Sequence, residues 1–154
     1  MFDENDHTYM RAAMEEANKA AERDEVPVGA VLVDRTTKEI IARNGNRTIK
    51  LNDPTAHAEI LVIREACKKI GAQRIPDFDL YVTLEPCTMC TAAIAFARIP
   101  RLVIGALDEK GGGVINGVKF YDQPTCHHKI DVSHGLLADE SSALLKSYFQ
   151  SKRA

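Results

Sequence analysis

Between residues 8 and 22, Met10, Ala13, Met14, Ala17, Ala20 and Ala21 recur at the 3.6-residue period of an amphipathic helix. The alanines on that stripe predict close packing against a sheet. The pattern then becomes continuous. Val28 to Val33 is an apolar run suited to a buried strand, and Glu39 to Arg43 a second strand. The polar segment Asp34 to Lys38 between them predicts a hairpin-type turn. Asp53-Pro54-Thr55 signals the start of a second helix, which runs to about Ile70 and ends at Gly71. Asp79 to Leu84 is a third strand. Pro86 opens a third helix that stops before Pro100. Leu102 to Ala106 is a fourth strand, and Gly111-Gly112-Gly113 a mobile loop. A short fifth strand falls near Lys129 to Val132, and the last helix spans Ala138 to Gln150. Strands alternating with helices after the first hairpin predict an α/β domain. Its three α/β/α layers have a mixed, mostly parallel five-stranded sheet covered on both faces. Sites in such sheets gather where strands hand over to helices, at the strands' carboxyl ends.

A chain of 154 residues suits one core and is short for two, so residues 1–154 are read as a single domain. Its longest stretch without a charged side chain, Pro86 to Ala97, has twelve residues. A membrane helix needs about 20, so no span is expected. The acidic start MFDENDHTYM has no apolar segment of a secretory signal and is not Arg-rich like a transit peptide. Four cysteines without an export signal point to thiols in a reducing cytoplasm rather than a disulfide framework. The net charge of −2 is unevenly spread: residues 1–25 hold eight acids and three bases. Ser141 to Ala154 hold Lys146, Lys152, Arg153 and no acid. That tail reads either as a solvated helix end or as a local site for an anionic partner.

Two segments lie at expected handovers into helices. Thr55-Ala56-His57-Ala58-Glu59 opens the second helix, and Glu85-Pro86-Cys87-Thr88-Met89-Cys90 the third. Cys87 and Cys90, three apart, face the same way on one helical turn. With His57 they make a one-imidazole, two-thiolate zinc set whose fourth tetrahedral position stays open, as in catalytic sites. Glu59 lies roughly 200° round a regular helix from His57. It is therefore placed to shuttle a proton at a metal-activated water rather than to bind the metal. Taken alone, the Cys-x-x-Cys also fits a redox pair or half of a structural zinc knuckle. The joint pattern His-x-Glu and Pro-Cys-x-x-Cys is far more specific, being the general signature of zinc-dependent nucleobase deaminases.

On these residues the chain resembles the cytidine-deaminase-like superfamily. Within it, the chain is similar to the bacterial tRNA-specific adenosine deaminases. The resemblance extends over nearly the whole chain. It is carried by Glu25-Val-Pro-Val-Gly-Ala-Val-Leu-Val33, Asn46-Arg47, Asp53-Pro-Thr-Ala-His-Ala-Glu-Ile60, Leu80 to Cys90, Gly105-Ala-Leu-Asp108 and Gly135-Leu-Leu-Ala-Asp-Glu140. The Leu-Glu-Pro-Cys context and the Leu-Leu-Ala-Asp-Glu tail with Tyr148-Phe149 point to the tRNA branch. Guanine deaminases share Thr-Ala-His-Ala-Glu and Asn46. The resemblance implies one Zn²⁺ per chain on His57, Cys87 and Cys90, and Glu59 as proton shuttle. It implies conversion of the wobble adenosine of a tRNA anticodon stem-loop to inosine, by a homodimer. It also implies that Asn46, which on spacing alone reads as a loop asparagine satisfying a turn, hydrogen-bonds the purine and that the Ala58 N–H contacts the base. Arg47, Lys50, Lys146, Tyr148, Phe149, Lys152 and Arg153 are candidates for loop nucleotides, although Leu144 and Leu145 facing inward on the same helix place at least one of the two aromatics in the core.

Asp108 follows the fourth strand, where it reads either as an acceptor for a ribose 2′-OH or as a turn aspartate. Cys126-His127-His128 reads as loop, and Cys67 as a buried helix thiol. The third helix, almost free of charge, suits either a partner surface or a central core helix. The alternatives in function are a deaminase of a free base or nucleoside, such as guanine or cytosine, and an inactive zinc-binding scaffold.

Overall fold

The computed structural model describes residues 2–153. The elements are α1 (Glu4–Glu22), β1 (Gly29–Asp34), β2 (Ile40–Gly45), α2 (Ala58–Ile70), β3 (Phe78–Leu84), α3 (Thr88–Phe96), β4 (Arg101–Ala106), β5 (Asp131–His134) and α4 (Ala138–Arg153). The helix α1 starts earlier than its apolar stripe suggested. Asp3 accepts from the N–H of Asp6, and Asp6 accepts from the N–H of Asp3, so a reciprocal cap carries a polar first turn. The helix α2 starts later than expected. The Asp53 carboxylate instead accepts from the N–H and the hydroxyl of Thr55, which closes a turn ahead of the helix.

The sheet order is β2-β1-β3-β4-β5. β1 pairs antiparallel with β2 and β3, while β3-β4 and β4-β5 are parallel. Four strands therefore run one way and β1 runs against them, so the ends of β2, β3 and β4 open on one edge. Alternation along the strands sorts the core into two layers. Val31, Val33, Tyr81 and Val103 pack with Tyr9, Met10, Ala12 and Ala13 of α1. Ala30, Leu32, Leu80, Val82, Leu102 and Ile104 pack with Val62 and Ala66 of α2 and Ile94 of α3. The alanine stripe of α1 does bring backbone close to backbone. A Cβ on Gly29 would stand 1.9 Å from the carbonyl oxygen of Ala13, so β1 can lie this close only with glycine there.

Asp6 crosses the α1 layer. Its carboxylate accepts from the Tyr81 hydroxyl and from both terminal nitrogens of Arg101, at 3.0 and 3.2 Å. Burial alone would raise its pKa, but these donors hold it down to about 2.

Candidate functional site

His57 and Cys87 are the N-cap residues of α2 and α3, both with extended backbone and neither with a side-chain cap bond. Their side chains are thus free of the usual capping role and turn toward each other. His57 Nδ1 lies 3.6 Å from Cys87 Sγ and 3.5 Å from Cys90 Sγ. Two zinc ligands at ordinary bond lengths and the tetrahedral angle stand about 3.6 Å apart, so this triangle fits the ion. His57, Cys87 and Cys90 are a possible metal site, and among the described residues no other cluster of this kind occurs. Two helix N-termini, β2's exit and β3's exit converge here, which favours anionic ligands. The Cys90 thiol, followed by His57, holds the Cys87 thiol down to about 4, and Cys90 is correspondingly raised.

Glu59, in the first turn of α2, is 3% exposed, and its Oε1 has no hydrogen-bond partner. Burial pushes its carboxyl up to about 7, against the pull of its own N–H and of His57. Because His57 lies outside the helix, the helical-wheel angle does not apply between the two residues. The extended His57 backbone separates their side chains instead, and both line one cavity.

That cavity measures about 270 Å³ and is walled by Asn46, Thr48, His57, Glu59, Glu85, Cys87, Asp108 and Gly111, with Val26, Val28 and Leu84 as its apolar sides. Asn46 Oδ1 accepts from the N–H of Ala58 at 2.8 Å. The Ala58 N–H, expected to reach the base, is therefore committed to Asn46, and Ala58 is fully buried. Asp108 lines the cavity and is also a turn aspartate, because its Oδ1 accepts from the N–H groups of Lys110 and Gly111. The turn reading of that residue is therefore observed, and its position leaves it facing the cavity.

A second cavity of about 340 Å³ shares Val26, Leu84 and Asp108 with the first and is closed by Leu145 and Phe149. Phe149 is exposed there and Tyr148 only half-buried, so neither aromatic is the core residue expected. The Tyr148 hydroxyl instead donates to the carbonyl of Asp24. Lys152 pairs with the Asp24 carboxylate at 2.6 Å, while Lys146 and Arg153 are exposed. Arg47 lies outside the cavity wall, its Nε donating to Asn44 Oδ1. Lys50 donates its backbone N–H to Glu25. His128 Nε2 lies 2.7 Å from the carbonyl oxygen of Ile99, and the Cys126 thiol donates to the carbonyl of His128. That segment is loop, as expected. Cys67 is half-buried in α2, not fully enclosed. The helix α3 is not buried all round. Cys90, Thr91, Ile94 and Ala95 face inward while Phe96 is 68% exposed.

The expected mobile glycine run is in fact a wall fixed around Glu85. The Glu85 carboxylate accepts from the N–H groups of Asp108, Val114, Ile115 and Asn116 and from the Asn116 side chain. Burial would raise its carboxyl, but these bonds leave it lowered. A Cβ on Gly112 would lie 2.3 Å from Glu85 Cδ, so the loop wraps the carboxylate only with glycine at this point. Neither Glu85 nor Glu25 was singled out from the sequence, although each was detectable as an acid set against a buried apolar run.

This fold, with one histidine and two cysteines at two helix starts and a buried glutamate beside them, defines the class of metal-dependent enzymes that deaminate nucleobases. Residues 4–150 match the MafB19-like deaminase family, and the chain belongs to it. It is 60% identical to the tRNA-specific adenosine deaminase of Agrobacterium fabrum, over 94% of both chains. To that of Haemophilus influenzae it is 47% identical, over 97% of this chain and 86% of the other. A structure solved in studies of A-to-I editing by tRNA:A34 deaminases at the wobble position of transfer RNA superposes with a TM-score of 0.87. It is 61% identical, covering 90% of this chain and 99% of the other.

Proposed function

We propose that this enzyme hydrolyses adenosine to inosine at the wobble position of a tRNA anticodon, with one zinc ion per chain. The observation that carries the chemistry is the His57–Cys87–Cys90 triangle beside a buried, unpartnered Glu59 oxygen. The 60% identity to a tRNA-specific adenosine deaminase supports the substrate. His57, Cys87 and Cys90 hold the ion, which when bound supplies an activated water. Glu59 Oε1 takes a proton from the attacking water and delivers it to N1 of adenine. Oxygen bonds to C6; Glu59 then takes the proton of the new C6 hydroxyl and passes it to N6, so that the C6–N6 bond breaks, ammonia leaves and the C6 carbonyl of inosine forms. Asn46 keeps its Oδ1 on Ala58, which leaves its amide NH₂ to donate to the purine. Asp108 offers its second carboxylate oxygen to a ribose hydroxyl. Phe149, on the neighbouring cavity, stacks a loop base, and Arg47 lies outside the wall near the phosphates.

The reading places the protein in the cytoplasm with its substrate; among the described residues no helix is long and apolar enough to cross a membrane. It also includes a homodimer, supported by the exposed Phe96 on the uncharged α3. The experiment is to offer the protein an anticodon stem-loop, free adenosine, guanine and cytidine, and to measure inosine and ammonia. Inosine formed in the stem-loop alone is the expected result. Ammonia from guanine or cytidine with an untouched stem-loop overturns the reading.

A further inference from the structure

Two of the buried carboxylates that take no part in the chemistry above hold loops of the cavity. Glu85 is 2% exposed and Glu25 1%. Glu85 sits between β3 and Cys87. Its Oε2 accepts from the N–H groups of Val114, Ile115 and Asn116 at 3.1, 2.9 and 3.0 Å. Its Oε1 accepts from the N–H of Asp108 at 3.0 Å and from Asn116 Nδ2 at 2.7 Å. The same loop crosses the metal-ligand turn, where the Gly113 N–H donates to the carbonyl of Pro86 at 2.9 Å. Glu25, just ahead of β1, accepts from the N–H groups of Ile49 and Lys50 at 3.2 and 2.8 Å. Each carboxylate therefore holds one wall of the same cavity. Glu25 holds the segment that follows Asn46 and Thr48, and Glu85 holds the loop that carries Asp108 and Gly111.

Burial does little to fix the first wall, since Ile49 is 67% exposed and Leu51 is exposed beside it. A carboxylate taking backbone N–H groups makes charge-assisted bonds, about twice as strong as neutral ones. We propose that Glu25 and Glu85 are positioning residues that set the width of the cavity mouth between the two loops and so tune entry of the splayed base. This rests on the deamination reading.

The test uses the full chain as Glu85→Gln and Glu25→Gln. In each, one acceptor oxygen becomes an NH₂ group facing N–H donors. Zinc content stays at one per chain in both. The KM for the stem-loop rises about tenfold while kcat falls less than about threefold, the split expected of lost substrate positioning. Amide hydrogen exchange speeds up at 108–116 in Glu85→Gln and at 48–50 in Glu25→Gln, and not elsewhere. An unchanged KM in both variants, or faster exchange spread evenly over the chain, overturns the proposal. If Glu85→Gln does not fold, Asn116→Ala removes only the 2.7 Å bond. A raised KM with full zinc then supports the proposal, and an unchanged KM overturns it. Wild-type protein that leaves the stem-loop untouched defeats the functional reading, and local against uniform exchange then decides the role of the two glutamates.

Discussion

Glu59 and Cys87 face one cavity but carry different proposed roles. Glu59 is not within the donor triangle, so its removal leaves the three candidate ligands in place. Glu59→Ala is expected to retain zinc and stem-loop affinity while turnover falls by about 10²- to 10⁴-fold, the scale of a lost general acid–base. Near wild-type turnover by that variant would remove the proton-shuttle role. Cys87→Ala is expected to lose the metal, because two protein ligands remain where catalytic zinc sites use three. Elemental analysis checks this, and full zinc in the purified variant would refute the ligand set. Asn46 shows how a residue's neighbours sharpen its role. Its oxygen is spent on the α2 N-terminus, so only its amide protons remain for a purine.

The helix α4 joins two kinds of contact. Tyr148 and Lys152 fasten it to Asp24, next to Glu25, while Phe149 stays open on the cavity beside the site. Phe149→Ala is expected to weaken stem-loop binding about tenfold with zinc content unchanged, since base–aromatic stacking is worth ~1–3 kcal/mol. Equilibrium binding checks it. Deleting residues 146–154 has a further expected effect, a smaller salt dependence of binding, because bases that neutralise phosphates set that slope. Unchanged affinity and slope would mean that the basic tail is a solvated helix end.

Across the whole molecule, Asp6 links α1 to β3 through Tyr81 and to β4 through Arg101. Its folded pKa of about 2 lies below its ordinary value of 3.8. A depressed carboxylate stabilises the fold above the unfolded pKa, and that contribution is lost as pH falls through the folded one. It is worth about 2 kcal/mol at neutral pH and disappears between about pH 4 and pH 2. Arg101→Met leaves the buried carboxylate without its cation and is expected to cost ~3–5 kcal/mol near pH 7. Denaturant titrations at several pH values check the sign: the gap between mutant and wild type narrows as pH falls from about 4 to 2. A gap independent of pH would assign the loss to packing.

Local chemistry is what a sequence carries best, and here it carried the donor set and most of the elements. His57, Glu59, Cys87 and Cys90 were legible because the same few residue types recur at fixed short spacings wherever this chemistry is done. The strands and helices were legible because their periods differ. Among the helices the errors lay at their starts, and the glycine run expected to be mobile is fixed around Glu85. The polar cap of Asp3 and Asp6 concealed the first turn of α1, and Asp53 closed a turn that looked like a helix start. What the chain order could not convey was which distant groups meet. Glu85 and Asn116 are thirty-one positions apart and Glu25 and Lys50 twenty-five. Asp6 and Arg101 are ninety-five apart. No local period encodes such pairs. They form because burying a carboxylate without donors is unfavourable, and only the folded sheet decides which donors are near. The possible metal site was thus legible in short-range sequence. The shape of the cavity around it was decided by long-range hydrogen bonds that exist only once β3, β4 and their loops have come together.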